Sequence, residues 1–129
     1  IVGTVYSFAA VTVNAKIDLD PDTLNLKSKG KWITCYIELP EKYHVADIDV
    51  STILLNGTIG AELKPTAYGD YDNDLVPDLM VKFSRAEVIS YILAEGKGKS
   101  VVALTVAGKL KDGTPFEGSD TVRIVMEAP

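Results

Sequence analysis

The strongest constraint in this chain is a period of two. Apolar residues alternate with polar ones through short runs: Ile33, Cys35, Ile37 and Leu39, then Leu79, Val81 and Phe83, then Val102, Leu104 and Val106, then Val122, Ile124 and Met126. Successive side chains of a strand point to opposite faces, so each run is a strand with one buried and one wet face. The runs are rich in Val, Ile, Thr and aromatic residues and are separated by Gly, Pro, Asn and Asp. Strands are therefore expected near residues 4–13, 16–19, 31–39, 52–55, 79–83, 100–110 and 121–126. Half-buried strands need a facing sheet. The expected architecture is all-β, a two-sheet antiparallel β-sandwich of immunoglobulin-like or Greek-key kind.

Local signals add one short helix and one hairpin. Ser84 before Arg85-Ala86-Glu87 makes a capping-box pattern, Val88, Ile89, Ile92 and Leu93 follow at helical spacing, and Gly96 is placed to end the helix. Lys111-Asp112-Gly113-Thr114 carries Asp-Gly at its centre and suits a tight turn between the last strands. No repeat or linker interrupts the 129 residues, so residues 1–129 are expected to form a single β-sandwich domain. The apolar start, ending in Val13-Asn14-Ala15, faintly resembles a signal peptide but lacks a basic flank, and a first strand is the better reading. The chain begins at Ile1, which suggests a fragment of a larger extracellular protein.

Composition narrows the function. A net charge of -5 argues against a nucleic-acid partner, because phosphate binding needs clustered Lys and Arg. Two short basic tracts, Lys27-Ser28-Lys29-Gly30-Lys31 and Lys97-Gly98-Lys99, contain Gly and flank apolar runs, as solvated turns do. No apolar run has the length of a membrane span, so no membrane insertion by this domain is expected. The lone Cys35 excludes an internal disulfide and offers no zinc motif; it is in phase with the core residues of its strand. His44, the single histidine, lies in a polar stretch apart from it. No pair of carboxylates is singled out for glycosidase chemistry, and the chain is expected to be non-enzymatic.

One segment carries chemistry. In Asp70-Tyr71-Asp72-Asn73-Asp74-Leu75-Val76-Pro77-Asp78, aspartates stand at positions one, three, five and nine. Calcium loops use this spacing to turn carboxylates inward on one hard cation, with a backbone carbonyl at position seven. Asp70, Asp72, Asp74 and Asp78 are the expected side-chain ligands and Val76 the carbonyl ligand, with calcium as the ion. The competing reading is a solvated acidic turn whose aspartates cap backbone groups. Position six, usually Gly because the turn favours φ > 0, is Leu75, and position twelve, where an EF-hand has Glu, is Val81. A full shell then needs Glu62, Asp47 or Asp49 from elsewhere.

Asp18, Asp20 and Asp22 alternate along an extended segment and read as a solvated strand face rather than a second ion site. Trp32 and Tyr36 share the face opposite Cys35 with Thr34 and Glu38; with Tyr43, Tyr68 and Tyr71 they are the aromatics available for stacking on a sugar. Asn56-Gly57-Thr58 fits a glycosylation pattern, and Asn-Gly serves equally well as a turn.

Asp70-Tyr71-Asp72-Asn73-Asp74 to Asp78-Leu79 resembles the DxDxDGxxDL loops of dockerins, thrombospondin type 3 repeats and integrin-type propeller repeats. The wider chain, from Lys16 to Val125, resembles a module of archaeal and bacterial secreted or surface proteins. The residues carrying that likeness are Ile17-Asp18-Leu19-Asp20-Pro21-Asp22-Thr23-Leu24-Asn25-Leu26-Lys27-Ser28-Lys29-Gly30-Lys31, Ile48-Asp49-Val50-Ser51-Thr52 and Asp112-Gly113-Thr114-Pro115-Phe116-Glu117-Gly118. The resemblance implies a calcium-loaded β-sandwich module appended to extracellular or cell-surface proteins. The expected function is non-catalytic structure or adhesion toward a surface protein or polysaccharide, with a carbohydrate-binding module of a secreted enzyme as the alternative.

Overall fold

The computed structural model describes residues 11–95 and 100–127. These form ten strands and one helix: β1 (Val13–Asn14), β2 (Lys16–Asp20), β3 (Thr23–Asn25), β4 (Trp32–Glu38), β5 (Ile48–Leu55), β6 (Ile59–Gly60), β7 (Ala67–Gly69), β8 (Asp78–Ser84), α1 (Arg85–Glu95), β9 (Val101–Leu110) and β10 (Pro115–Val125). One sheet has four strands in the order β2-β4-β8-β7. The other has six, in the order β1-β10-β9-β5-β6 with β3 also on β10. The expected all-β two-sheet sandwich is thus present. Its ladders are antiparallel except for the short β1 and β3, which both run parallel to β10.

Alternation sets the layers. β4 buries Ile33, Cys35 and Ile37, and β8 buries Leu79, Val81 and Phe83, against Ile53 and Leu55 of β5, Leu104 and Val106 of β9, and Phe116 and Val122 of β10. Each such side chain removed from water contributes roughly 1.5–3 kcal/mol before entropy is counted. β5 and β10 begin earlier than expected. In β5 the pairing register shifts between Asp49 and Leu54, and that irregularity hides the alternation of Ile48 to Ser51. β10 begins in Pro115-Phe116-Glu117-Gly118-Ser119-Asp120, where a single large apolar residue gives no visible period. β3, β6 and β7 are two or three residues long, too short to show one.

The capping pattern works as read: the Glu87 N–H donates to Ser84 Oγ at 3.3 Å, and Val88 and Ile92 are buried. Gly96, the tract at residues 97–99 and most of the strand expected at 4–13 lie outside the described residues. Lys27 to Lys31 connects β3 to β4, and Arg85 ties it down by donating to the Trp32 carbonyl and to Ser28 Oγ. Asn56 and Gly57, at φ 48° and 69°, form the doubly left-handed turn that joins β5 to β6. The Asn56 side-chain oxygen accepts from Thr105 N–H at 2.7 Å, so the residue staples the hairpin to β9. The hairpin at residues 111–114 closes through Leu110 N–H to Thr114 O at 2.8 Å, with Gly113 at φ 93°.

The chain changes sheets beside β10. β1 pairs with the start of β10, β2 crosses into the four-stranded sheet, and β3 returns to pair with the end of β10. At the crossing Ala15 N–H donates to Glu117 O at 2.8 Å, and Leu19 N–H donates to Asp120 Oδ2 at 2.8 Å. Gly118 sits under this passage; a methyl there would collide with the Ala15 carbonyl and the Ile17 side chain. Backbone cannot yield as a flexible side chain can. Gly118→Ala is therefore expected to cost about 1–3 kcal/mol, read as a fall of several degrees in the melting temperature.

Candidate metal centre

Three strands bring charged residues abreast at one end of the four-stranded sheet. Lys16 of β2 pairs with Glu38 of β4, Ile37 pairs with Leu79, and Asp78 of β8 pairs with Gly69 of β7. One step beyond the Ile37–Leu79 pair, Glu38 and Asp78 come side by side. Paired residues share a face, so Lys16, Glu38 and Asp78 form a row on the outer face, the side away from Cys35 and Leu79.

The acidic loop, residues 70–77, folds back over this row. The Tyr71 ring packs on Tyr36, centroids 4.8 Å apart and planes tilted by 46°. Tyr71 N–H donates to Asp78 Oδ2 at 3.0 Å. Asp78 is left only 3% exposed although it stands on the wet face of its strand. Inside the loop, Asp70 accepts from the N–H groups of Asp74 at 3.1 Å and Leu75 at 2.8 Å, and Asp74 accepts from Val76 N–H at 2.9 Å. Asn73 and Leu75 adopt φ of 57° and 69°. Position six thus takes the left-handed conformation that calls for Gly, with a leucine whose side chain is 91% exposed.

Around this loop, carboxylate oxygens converge in two groups. Asp70, Asp72 and Asp74 offer atoms within 4.8 Å of one another, and so do Glu38, Asp72 and Asp78, with Asp72 common to both. Of the residues expected to bind, Asp78 is thus grouped with Glu38 rather than with Asp70 and Asp74, and Val76 follows the loop with its N–H bound to Asp74. The carboxylate that meets the loop from elsewhere in the fold is that of Glu38. Asp47 and Asp49, near or in β5, and Glu62, after β6, belong to neither group. Asp49 instead accepts from Ser51 N–H and Oγ.

Like charges at this spacing repel by on the order of 3 kcal/mol per pair at an effective dielectric of about 20. Two features show the strain. Glu38 Oε1 is buried without a hydrogen-bond partner. Burial, with the neighbouring Asp74 and Asp78, pushes the Glu38 carboxyl up to about 7, while the neighbouring Glu38 carboxyl and the Val76 N–H hold Asp74 below the usual range. One compensating cation is present: Lys16 Nζ lies 3.0 Å from Asp72 Oδ2, the one ion pair among the described residues. Beside the loop, a cleft of about 380 Å³ is lined by Lys16, Tyr36, Glu38, Tyr71 and Asp72 and reaches Asp18 and Asp120.

The other candidates fall elsewhere. Asp18 and Asp22, without Asp20, approach Asp120, whose oxygens already accept from Leu19 and Thr121 N–H. Cys35 is fully buried, and burial drives its thiol well above the usual range, so it is no nucleophile. Trp32 is half-buried on the same outer face as Tyr36, with Lys31 Nζ 4.8 Å from its ring centre. Tyr43 and Tyr68 line a separate, mostly apolar cleft of about 210 Å³ with Leu39, Val76 and Pro77. Among the described residues no helix is long and apolar enough to cross a membrane.

Comparison with protein-family models, curated proteins and solved structures finds no match.

Two outcomes follow from this geometry. Leu75→Gly removes a left-handed leucine that costs about 1–2 kcal/mol and loses little burial, while the freer unfolded glycine takes back about 0.5–1 kcal/mol. The net expectation is a melting temperature equal to wild type or a few degrees above it. Glu38 has a folded pKa above its unfolded one, so its ionisation opposes folding: the cost is absent below about 4.5, grows as pH rises toward about 7, and is constant above. In chelator, Glu38→Gln should match wild type at acid pH and melt higher by several degrees above pH 7, measured by thermal unfolding across pH.

Proposed function

We propose that this chain is a non-catalytic, calcium-binding structural or interaction module of a secreted or cell-surface protein. The observation that carries the reading is the meeting of five carboxylates from a loop and two strands, Glu38, Asp70, Asp72, Asp74 and Asp78, around the shared Asp72. All the donors are oxygens, as a hard cation prefers. Glu38 Oε1, buried without a donor on a half-buried side chain grouped with Asp72 and Asp78, supports an ion as well, since it lacks a partner that a cation would supply.

Calcium suits the site better than magnesium, which demands near-ideal octahedral geometry and keeps several waters. Without a glutamate at position twelve, and with Leu75 strained at position six, the affinity should fall in the about 10⁻⁴–10⁻³ M range of extracellular modules. That range fits a secreted or surface location. In the proposed role the ion neutralises the loop, fixes the entry into β8 and stiffens one end of the sandwich for display or adhesion toward a protein or polysaccharide. The likeness of the loop to those of dockerins and thrombospondin repeats is in keeping with this role.

A carbohydrate-binding module is the second reading, and Tyr43 and Tyr68 across their cleft are what favours it. Tyr36 and Tyr71, tilted by 46°, make no flat platform for a sugar ring. A Tyr68→Ala variant in polysaccharide pull-downs separates the two readings.

The direct test is thermal unfolding in millimolar calcium and in chelator. An ion bound only by the folded state stabilises by about 1.4 kcal/mol at ten times its Kd, or ~3–6 °C for a domain of this size. The expected result is a calcium-dependent rise that Asp72→Asn with Asp74→Asn abolishes; identical curves in calcium and chelator would remove the ion from the account.

A further inference from the structure

We propose that Lys16 is a tethered cation that holds the Asp72 side of the candidate calcium site and competes with the divalent ion for it. The inference rests on the calcium reading above and adds a control of affinity that the loop motif does not contain.

Lys16 lies directly across the β2–β4 ladder from Glu38, on the same outer face. A lysine in that position has its cross-strand carboxylate within easy reach. Its Nζ instead lies on Asp72 at 3.0 Å, the residue common to both carboxylate groups. The ammonium thus stands on the aspartate that a metal ion bridging the two groups would have to share. It is not locked there: the Lys16 side chain is 63% exposed and that of Asp72 36%, so the four-carbon stem is free to swing into solvent.

One charge does not satisfy the site. Glu38 Oε1, which belongs to β4 and not to the loop, stays buried without a donor, and Asp78 is 3% exposed with the single backbone donor of Tyr71. The ammonium on Asp72 and the backbone N–H groups on Asp70, Asp74 and Asp78 add no second positive charge, and Glu38 Oε1 is left without any donor. A divalent ion brings twice the charge, and its approach places two like-signed centres a few ångströms apart, which drives the lysine off.

The consequence is two-sided. In the ion-free protein Lys16 offsets part of the carboxylate repulsion and helps to keep the loop closed. In the ion-bound protein it has lost its partner and repels the ion. Removing it should weaken the first state and strengthen the second. An ordinary structural ion pair would weaken both, and a freely solvated one would change neither.

The test is calorimetric titration of calcium into wild type and Lys16→Gln, with melting temperatures in chelator and in saturating calcium. Lys109→Gln, in the other sheet, makes the same change in net charge and serves as control. The expected result is a Kd lower by about three- to tenfold in Lys16→Gln, a lower melting temperature in chelator and a larger rise on adding calcium. Unchanged or weaker binding by Lys16→Gln, with wild type binding normally, would overturn the inference and leave the calcium site standing. Equal tightening by Lys109→Gln would overturn it in favour of long-range net charge. No binding by wild type or Lys16→Gln would overturn both the inference and the calcium reading.

Discussion

The register of β4 between β2 and β8 is the constraint on which the remaining features depend. With Leu19 opposite Cys35 and Cys35 opposite Val81, the inner face becomes a continuous apolar layer. The same ladder, read on its other face, aligns Lys16, Glu38 and Asp78. A slip by one residue would turn every side chain of the strand over, exposing Ile33, Cys35 and Ile37 to water and burying Trp32, Thr34, Tyr36 and Glu38. Burial of the core therefore holds the charged row in place. The carboxylates need no favourable interaction of their own to be brought together.

That division explains how a repulsive cluster survives in a stable fold. The close carboxylate pairs oppose folding by a few kcal/mol each before relaxation and solvent screening, and the apolar layer beneath outweighs them. Much of the residual charge is taken up locally: Asp70 and Asp74 accept backbone N–H groups of their own loop, Asp78 accepts from Tyr71, and Asp72 meets Lys16. The tilted contact of Tyr71 on Tyr36 presses the loop onto the sheet. These contacts hold the loop folded back on the sheet. What remains uncompensated is concentrated at Glu38.

Legibility in the sequence followed the length and regularity of each element. β4, β8 and β9 were readable because each is at least seven residues long and buries apolar side chains at alternate positions, and the start of α1 because Ser84 and Glu87 are a local pair. The first part of β5 was hidden by its irregular register, and β3, β6 and β7 by their brevity. In the candidate site, the spacing of Asp70, Asp72, Asp74 and Asp78 was visible because the loop is contiguous. Glu38 was recognisable only as a polar residue on the outer face with Trp32 and Tyr36; its role beside Asp78 depends on a partner forty residues away.

The sequence by itself determined which side of each long strand is buried, where the turns with left-handed residues fall, and that four aspartates occupy one loop, because periodicity, turn chemistry and local spacing act within a few residues. Tertiary structure alone decided that Asp78 would be buried on a wet face, that Glu38 and not Asp47, Asp49 or Glu62 would stand beside it, and that Lys16 would reach Asp72. Those outcomes arise from strand register and from the folding back of the loop. Both are settled by burial of apolar surface shared among distant segments, which no local pattern encodes.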